Sequence, residues 1–388
     1  MHDLNFRDQT FDTLIVGAGS VGMAAGYYLS KAGNKVLLLD ADDPPHANGS
    51  HHGGTRLIRH AYGEGAAYVP LALRAQQLWL DLEQEAGAKI FERTGIVNIG
   101  PQGASFMQEV QRSASEYKLP VEFLDGAEAS RRWPAWRLSK EQLVSFEPDA
   151  GVLYCEEAVR SYRHLASTLG ATLRTNTVIT GIEVHGEGSV SVVTNKGERF
   201  RGQDLIVCAG KWSPALLQSF GTRIPVTRVR KTFAWFDVAP NLFEPGSFPG
   251  FAVASDRGQF YGFPSLDGAG LKVGRHDGGQ PVAADASLVP FGQEPTDLSD
   301  LEDFLREYLP ASGKLRMGKT CEYDVTPDEH FIIDQLPVCP HVYLATGFSG
   351  HGFKFASAIG EALAERITQG ASRLDISAFS LGRFGGQA

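Results

Sequence analysis

Cysteine is scarce in this chain, with four among 388 residues, and no two are spaced as CxxC. That excludes a zinc ribbon and a disulfide framework, and it makes a reducing compartment the expectation. Positive charge is also short: 36 Lys and Arg stand against 45 Asp and Glu, for a net charge of −9. Such a balance leaves no basic face for phosphate neutralisation, so no nucleic-acid partner is expected, while a local basic pocket for a small anion stays open. No apolar run approaches the roughly 20 residues that span a bilayer, and no membrane partner is expected. The start, "MHDLNFRDQTFDTLIVGAG", lacks a basic stretch followed by an apolar segment and a cleavage site, and the end, "GRFGGQA", is no peroxisomal address. The expected location is cytoplasmic. Biased tracts and internal repeats are missing too. A composition of 43% hydrophobic and 21% charged residues fits an ordinary globular protein with room for two or three domains.

What is there begins with "DTLIVGAGSVGMAAGYYLSKAGNKVLLLD" (12–40). "TLIV" reads as a buried strand, "SVGMAAGYYLSKAG" as a helix stopped by Gly33, and "KVLLLD" as a second buried strand. Gly17, Gly19 and Gly22 form GxGxxG at the strand-to-helix turn, and Asp40 ends the second strand. The glycines let backbone approach a pyrophosphate at the helix N-terminus, and the acid can take adenosine ribose hydroxyls. An acid there favours NAD or FAD over NADP.

Residues 44–65, "PPHANGSHHGGTRLIRHAYGEG", are too rich in Gly, Pro and His for regular structure and read as a functional loop. "YVPLALRAQQLWLDLEQEAG" is an amphipathic helix ended by Gly87, and "EEAVRSYRHLASTLG" is another helix. Residues 171–210 read as a β-meander returning to a buried strand, 226–275 as a second β-rich block, and "DLSDLEDFLREYLP" as a capped helix. "VYLATGFSGHGFKFASAIGEALAERITQG" is strand, glycine turn and long helix. Nucleotide-type segments thus recur at start, middle and end, with β-rich insertions between, and two interleaved domains fit best. The fold class is α/β, mixed α+β overall.

Several residues admit both a chemical and a plain reading. His46, His51, His52 and His60 crowd one loop; without HExxH spacing or a carboxylate cluster they fit loop or cofactor contacts better than a metal site. Arg56 and Arg59 suit planar contact with a carboxylate or ring carbonyl, or are exposed loop arginines. Lys272 shares a strand face with Gly270 and Gly274, which leaves space for a ligand or for solvent. The turn holding Gly347, Gly350 and Gly352 opens a helix whose N–H groups can hold negative charge, with Lys354 one turn in. Cys155, Cys208 and Cys339 lie in or beside apolar runs. Cys321 lies in polar "GKTCEYDVTPDEHFIID", with Lys314 and Lys319 upstream, either as an incidental small hydrophobe or as a reactive thiol.

Together, "GAGSVGMAAGYYL", "PPHANGSHHGGTRLIRHAYGEG", "GLKVGRH", "CEY" followed by "PDEHFIID", and "GFSGHGFKFAS" resemble the monomeric sarcosine oxidase and N-methyltryptophan oxidase family, in the family's order over nearly the whole chain. "RVRKTFAWFDV" and "GRHDGGQPV" look closer to the N-methyltryptophan branch. The resemblance implies a glutathione-reductase-type FAD-binding Rossmann domain (1–90, 151–222 and 315–388) interleaved with a β-rich substrate domain (91–150 and 223–314). It implies one FAD per chain, bound covalently through the Cys321 thioether to the flavin 8α-methyl. Cofactor contacts carry over to Gly17, Gly19, Gly22, Asp40, Ser50, Thr55, Arg56, Gly347, Gly350, Gly352 and Lys354. Lys272 matches the lysine that promotes reaction with oxygen, and Arg56 the arginine over the flavin. Arg59 and Lys354 match the pair that binds the substrate carboxylate, and His276, Tyr261 and Tyr323 match pocket residues. Lys272, Arg56 and His276 are the expected catalytic groups, and the loop from His60 to Gly65 resembles a gate.

The implied activity is oxidation of an N-methyl amino acid, N-methyl-L-tryptophan-like, by molecular oxygen to the amino acid, formaldehyde and hydrogen peroxide. The enzyme is expected to be a monomer. Sarcosine, a cyclic imino acid or a glycated amino acid is the alternative substrate; a dehydrogenase feeding a carrier and a non-catalytic flavin-binding protein are further alternatives. Two departures stand out. Gly54 replaces the acid of the family's "HHGDTR", and Ala252 stands where a sarcosine-specific enzyme carries a bulkier Met, which implies a roomier pocket.

Overall fold

The computed structural model describes residues 10–186, 188–239, 241–283 and 286–385; the readings of residues 1–9 and of the last three residues lie outside them. One eight-stranded sheet collects the nucleotide-type segments. Thr10–Val16 pairs in parallel with Val36–Leu39, and the helix Ser20–Lys31 connects them. Arg199–Val207 runs parallel to Thr10–Val16 along one edge, and along its other edge meets first Ser189–Thr194 and then Cys339–Thr346. All four residues of Val36–Leu39 are buried, as expected of a parallel strand covered on both faces. The helices Ser20–Lys31 and Ala356–Gln369 pack closely because both are lined by Ala and Gly; the Cβ that Gly360 lacks would lie 2.5 Å from that of Ala24.

A nine-stranded sheet carries the insertions, in the order Gln280–Pro281, Thr227–Val238, Leu271–Arg275, Gly258–Phe263, Gly250–Ser255, Ile96–Pro101, Gln142–Glu147, Glu122–Asp125. Aromatic rings fill its core, with Phe236, Phe243, Phe251, Phe260 and Phe304 almost wholly buried. A short third sheet, Thr55–Ile58, Gly151–Tyr154 and Phe91–Glu92, packs Leu57 and Val152 against Ile96 and Phe263 of the large one. Among the described residues no helix is long and apolar enough to cross a membrane.

Five expectations change. Residues 44–65 are not wholly irregular: Thr55–Ile58 is a strand, because "TRLI" pairs with Gly151–Tyr154. Thr172–Arg174 leaves the meander and pairs in parallel with Val36–Leu39 at the opposite edge of the sheet. Ser312–Val325, assigned from 315 onward to the FAD-binding segments, is a long strand of the nine-stranded sheet along Thr227–Val238. The helix Thr296–Tyr308 has no side-chain cap; Asp297 turns back to the backbone N–H of Gly292 and to Arg230. Lys354 sits in a single 3-10 turn, Phe353–Phe355, ahead of the last helix rather than one turn inside it.

Candidate active site

The nucleotide end is built by backbone. Gly17 has φ +94°, and a Cβ there would lie 2.4 Å from the carbonyl oxygen of Cys208. Gly22 is tighter still, 1.9 Å from the Gly17 carbonyl, so the strand, turn and helix close up only without side chains. Around Gly19 nothing comes nearer than His51 Nδ1 at 3.7 Å. The helix Ser20–Lys31 has no side-chain cap and no acid in its first turn, so its leading N–H groups face the glycine turn unneutralised. Asp40 Oδ2 accepts from the Ala18 N–H at 2.7 Å and Oδ1 from the Asp42 N–H at 2.9 Å, with His46 Nε2 at 3.3 Å. Burial pushes the Asp40 carboxyl up, but His46 and the two backbone donors outweigh it and hold the group below its usual range. Open space over Gly19, free helix-end donors and a fixed carboxylate fit the diphosphate and ribose of a dinucleotide.

The four loop histidines do not converge. His46 and His51 stand at the nucleotide end, His52 beside Phe233, and His60 against Glu147. Asp40, Asp42 and His46 are the only group of three potential metal ligands within reach of one another among the described residues, and both Asp40 oxygens there already accept backbone donors.

The reactive end is built by side chains from separate segments. Arg56 is held by carbonyls, donating to Thr55 O (2.8 Å), Ser50 O (2.7 Å) and His52 O (3.0 Å). Ser50 and Thr55 thus position Arg56 through their backbone. Lys272 Nζ donates to Gly53 O at 2.7 Å, Thr55 O at 3.1 Å and Thr55 Oγ1 at 3.2 Å. The rings of Phe263, Phe233 and Trp235 surround it at 4.6, 4.8 and 5.3 Å. Lys272 therefore does not stand in open space: it lies behind Phe233 and Phe263, which line the cavity. Burial, with Arg56 adding repulsion, pulls its pKa down to about 7.

Cys321 is 5% exposed and opens onto the same cavity as Arg56, Tyr261 and Tyr323. Burial pushes its thiol up, against the pull of Arg56, Lys272 and Lys231. The cations acting on it are these three; Lys319 is turned onto Trp235. Gly54 does not leave the loop without a carboxylate, because Glu156 accepts from the backbone N–H groups of both Gly53 and Gly54.

Across the cavity lies the second cluster. Arg59 donates to both oxygens of Glu64, at 2.7 and 2.9 Å, and its guanidinium covers the Tyr62 ring at 4.9 Å. Arg59 Nε is buried without a partner. Lys354 Nζ donates to Tyr62 Oη and His351 O, both at 2.9 Å, and has no carboxylate bond. Burial and the nearby Arg59 bring its pKa down to about 7, partly offset by Glu64. Burial pushes the Glu64 carboxyl up, but Arg59, His351, Lys354 and His276 together hold it down at about 2. His276 and His351 are kept neutral by burial, at about 4 and 3. The free space between the clusters is about 80 Å³, walled by Phe106, Ala252, Tyr261, Phe263, His276 and Phe353 among others. Ala252 lines it, with Tyr261 directly opposite on the neighbouring strand.

Gly350 and Lys354 line the cavity too, but Gly347 packs on Thr326, and Gly352 on Phe348. Several residues of the site carried no role of their own in the sequence, among them Phe106, His351, and Tyr62 and Glu64 of the gate-like loop. Glu64 left one signal, as the lone acid in a glycine-flanked loop five residues after Arg59.

The FAD dependent oxidoreductase family matches residues 12–366. A monomeric sarcosine oxidase from Bacillus sp. (strain B-0618) is 46% identical over 376 residues, covering 96% of either chain. An N-methyl-L-tryptophan oxidase from Yersinia pestis (strain Pestoides F) is 44% identical over 375 residues, covering 96% of this chain and 99% of that one. The two identities do not separate the two substrates. Among solved structures, L-proline dehydrogenase from P. horikoshii superposes with a TM-score of 0.85 at 22% identity over 97% of this chain and 98% of its own. NikD, an unusual amino acid oxidase essential for nikkomycin biosynthesis, gives 0.83 at 21% over 96% and 97%. Both structural likenesses establish the fold.

Proposed function

The chain belongs to the FAD dependent oxidoreductase family, and from that premise we propose that it is an oxidase that demethylates N-methyl amino acids, with N-methyl-L-tryptophan-like substrates preferred. One observation carries this reading: Arg59, on the cavity that Cys321 and Arg56 also line, already holds a carboxylate, that of Glu64, while Lys354 beside it has no carboxylate bond. A substrate carboxylate takes the place of Glu64 on Arg59 and adds Lys354, which fixes the amine end toward Arg56 and Cys321. Bound FAD would supply two-electron acceptor chemistry for oxidation of the N-methyl carbon, with molecular oxygen as the final oxidant. The resulting imine hydrolyses to formaldehyde and the amino acid, and the oxygen half yields hydrogen peroxide.

The chain's own groups divide the work. Gly17, Gly19, Gly22 and Asp40 would hold the adenosine diphosphate part, and Cys321 would hold one FAD per chain as a thioether. Arg56 keeps a fixed positive charge at the ring end. Lys272, anchored on the 53–55 carbonyls, supplies the charge that favours oxygen reduction. His276 stays neutral and shapes the pocket with Tyr261 and Tyr323. We read the chain as a cytoplasmic monomer of two interleaved units, with 312–325 counted in the substrate unit.

The test is a substrate panel with the holoprotein, reading oxygen uptake, formaldehyde and peroxide. Equimolar formaldehyde and peroxide from N-methyl-L-tryptophan support the reading. Turnover of sarcosine alone moves the specificity and keeps the demethylation, whereas turnover of L-proline alone, with peroxide and no formaldehyde, replaces demethylation by oxidation of a ring amine. Reduction without peroxide makes the protein a dehydrogenase instead.

A further inference from the structure

Arg59 is held from both sides by one stretch of chain. Before it, Thr55–Ile58 pairs with Gly151–Tyr154, with Ile58 opposite Gly151. After it, the backbone is taken up by Glu147, the last residue of the strand Gln142–Glu147. Glu147 Oε2 accepts from the N–H groups of His60 (2.8 Å) and Ala61 (3.2 Å) and faces His60 Nδ1 at 3.3 Å. Glu147 pairs with Ile96, and Ile96 in turn with Gly250 of the strand whose Ala252 lines the cavity. The turn that follows Arg59 is thereby tied to the cavity wall.

Beyond this pin the loop loosens in steps. Ser113 Oγ still donates to the Tyr62 carbonyl at 2.9 Å. The tip is then Gly63, Glu64 and Gly65, where Gly65 has φ +134° and open space around it. Glu64 thus sits between two glycines, free to leave Arg59 while the backbone at 60–61 stays where it is.

Glu147 is 3% exposed, and its Oε1 has no hydrogen-bond partner among the described residues. A neutral acceptor would serve the two N–H groups as well, without the cost of burying a charge. What the charge adds is an attraction for Arg59: burial works against the guanidinium charge, and Glu64, Tyr62 and Glu147 outweigh it.

We propose that Glu147 is the positioning residue of the carboxylate clamp: it pins His60 and Ala61 so that Arg59 stays aimed into the cavity, and compensated, while Glu64 leaves and a substrate carboxylate arrives. This rests on the reading of Arg59 as the group that binds that carboxylate.

The test uses holoprotein with Glu147→Ala and Glu147→Gln. Binding of butyrate is read from its perturbation of the flavin absorption, and anaerobic bleaching by excess N-methyltryptamine reports a substrate with no carboxylate to place. Glu147→Ala weakens butyrate about tenfold and raises KM for N-methyl-L-tryptophan about as much, with kcat within about twofold. Glu147→Gln keeps an acceptor for the N–H groups but not the charge, and loses about threefold. The bleaching rate with N-methyltryptamine is unchanged in both, which a general loss of structure would not allow. Undiminished butyrate binding by Glu147→Ala overturns the proposal, as do equal losses with the amine. If Glu147→Ala yields no yellow protein, Glu147→Gln decides alone, and parent-like butyrate binding overturns the proposal. Butyrate bound as tightly by Arg59→Ala as by the parent overturns the clamp itself, and this role with it.

Discussion

The two ends of the cofactor-binding region solve opposite problems. At the nucleotide end one strand–helix–strand stretch and the few residues after it suffice: Gly17 and Gly22 remove side chains so that backbone can approach, and Asp40 is held as a carboxylate by His46 and two N–H groups. At the reactive end four positive side chains arrive from three parts of the chain: Arg56 and Arg59 from one segment, Lys272 and Lys354 from two others. Of these, only Arg59 carries a carboxylate bond, from a residue of its own loop. The others rest on carbonyls and hydroxyls, which hold a cation in position without cancelling it. Backbone binds what is constant in a cofactor; uncancelled buried charge is kept where a substrate or a developing charge must be met.

That contrast can be broken by removing charge at one end only. Arg59→Ala should lower kcat/KM for N-methyl amino acids by about 100- to 1,000-fold, chiefly through KM, because a desolvated charge pair is worth about 2–5 kcal/mol. Steady-state kinetics checks it, and a fall below about threefold would mean that the clamp lies elsewhere. Next, Lys272→Met should slow reoxidation by oxygen about 100-fold, the scale of losing one preorganised charge. Anaerobic reduction, followed by stopped flow, should change far less. Equal loss in both halves would make Lys272 a structural cation rather than an oxygen-side one.

A smaller effect belongs to the other end. Cys321→Ala should release its FAD on denaturation, where the parent keeps the colour on the chain. In that background Asp40→Asn should weaken FAD binding by about tenfold, measured by equilibrium fluorescence. Catalysis by the refilled protein should be nearly untouched, which sharpens the division of labour. Smallest is a pH effect. Lys354 is charged below its pKa of about 7 and neutral above it, while Arg59 stays charged throughout. Binding of a simple carboxylate such as butyrate, which does not titrate there, should be constant at low pH and weaken toward tenfold per unit above about 7. A flat profile to pH 9 would show that Lys354 takes no part in the clamp.

The same contrast decides how much was legible. Gly17, Gly19, Gly22 and Asp40 could be read from the residues because strand, turn, helix and acid are neighbours in sequence, with spacings set by the backbone. Lys272 and Cys321 could not be read that way. A strand lysine between glycines and a cysteine among polar residues stand out as candidates but look alike whether they face solvent or a site, and only the family resemblance chose between the two readings. Glu64 went unassigned because its role is to occupy Arg59 within the protein itself. Lys354 was placed a turn too deep because "HGFKF" tightens into a 3-10 turn before the helix begins. The strand carrying Cys321 pairs with Thr227–Val238 of the nine-stranded sheet, a long-range register that no local pattern announces.

The most direct test is anaerobic bleaching of the flavin band by N-methyl-L-tryptophan, set beside N-methyltryptamine, which keeps the indole and the methylamine but lacks the carboxylate. The account predicts rapid bleaching by the amino acid and little by the amine at equal concentration. Equal bleaching by both, or none by the amino acid, would contradict a carboxylate clamp formed by Arg59 and Lys354.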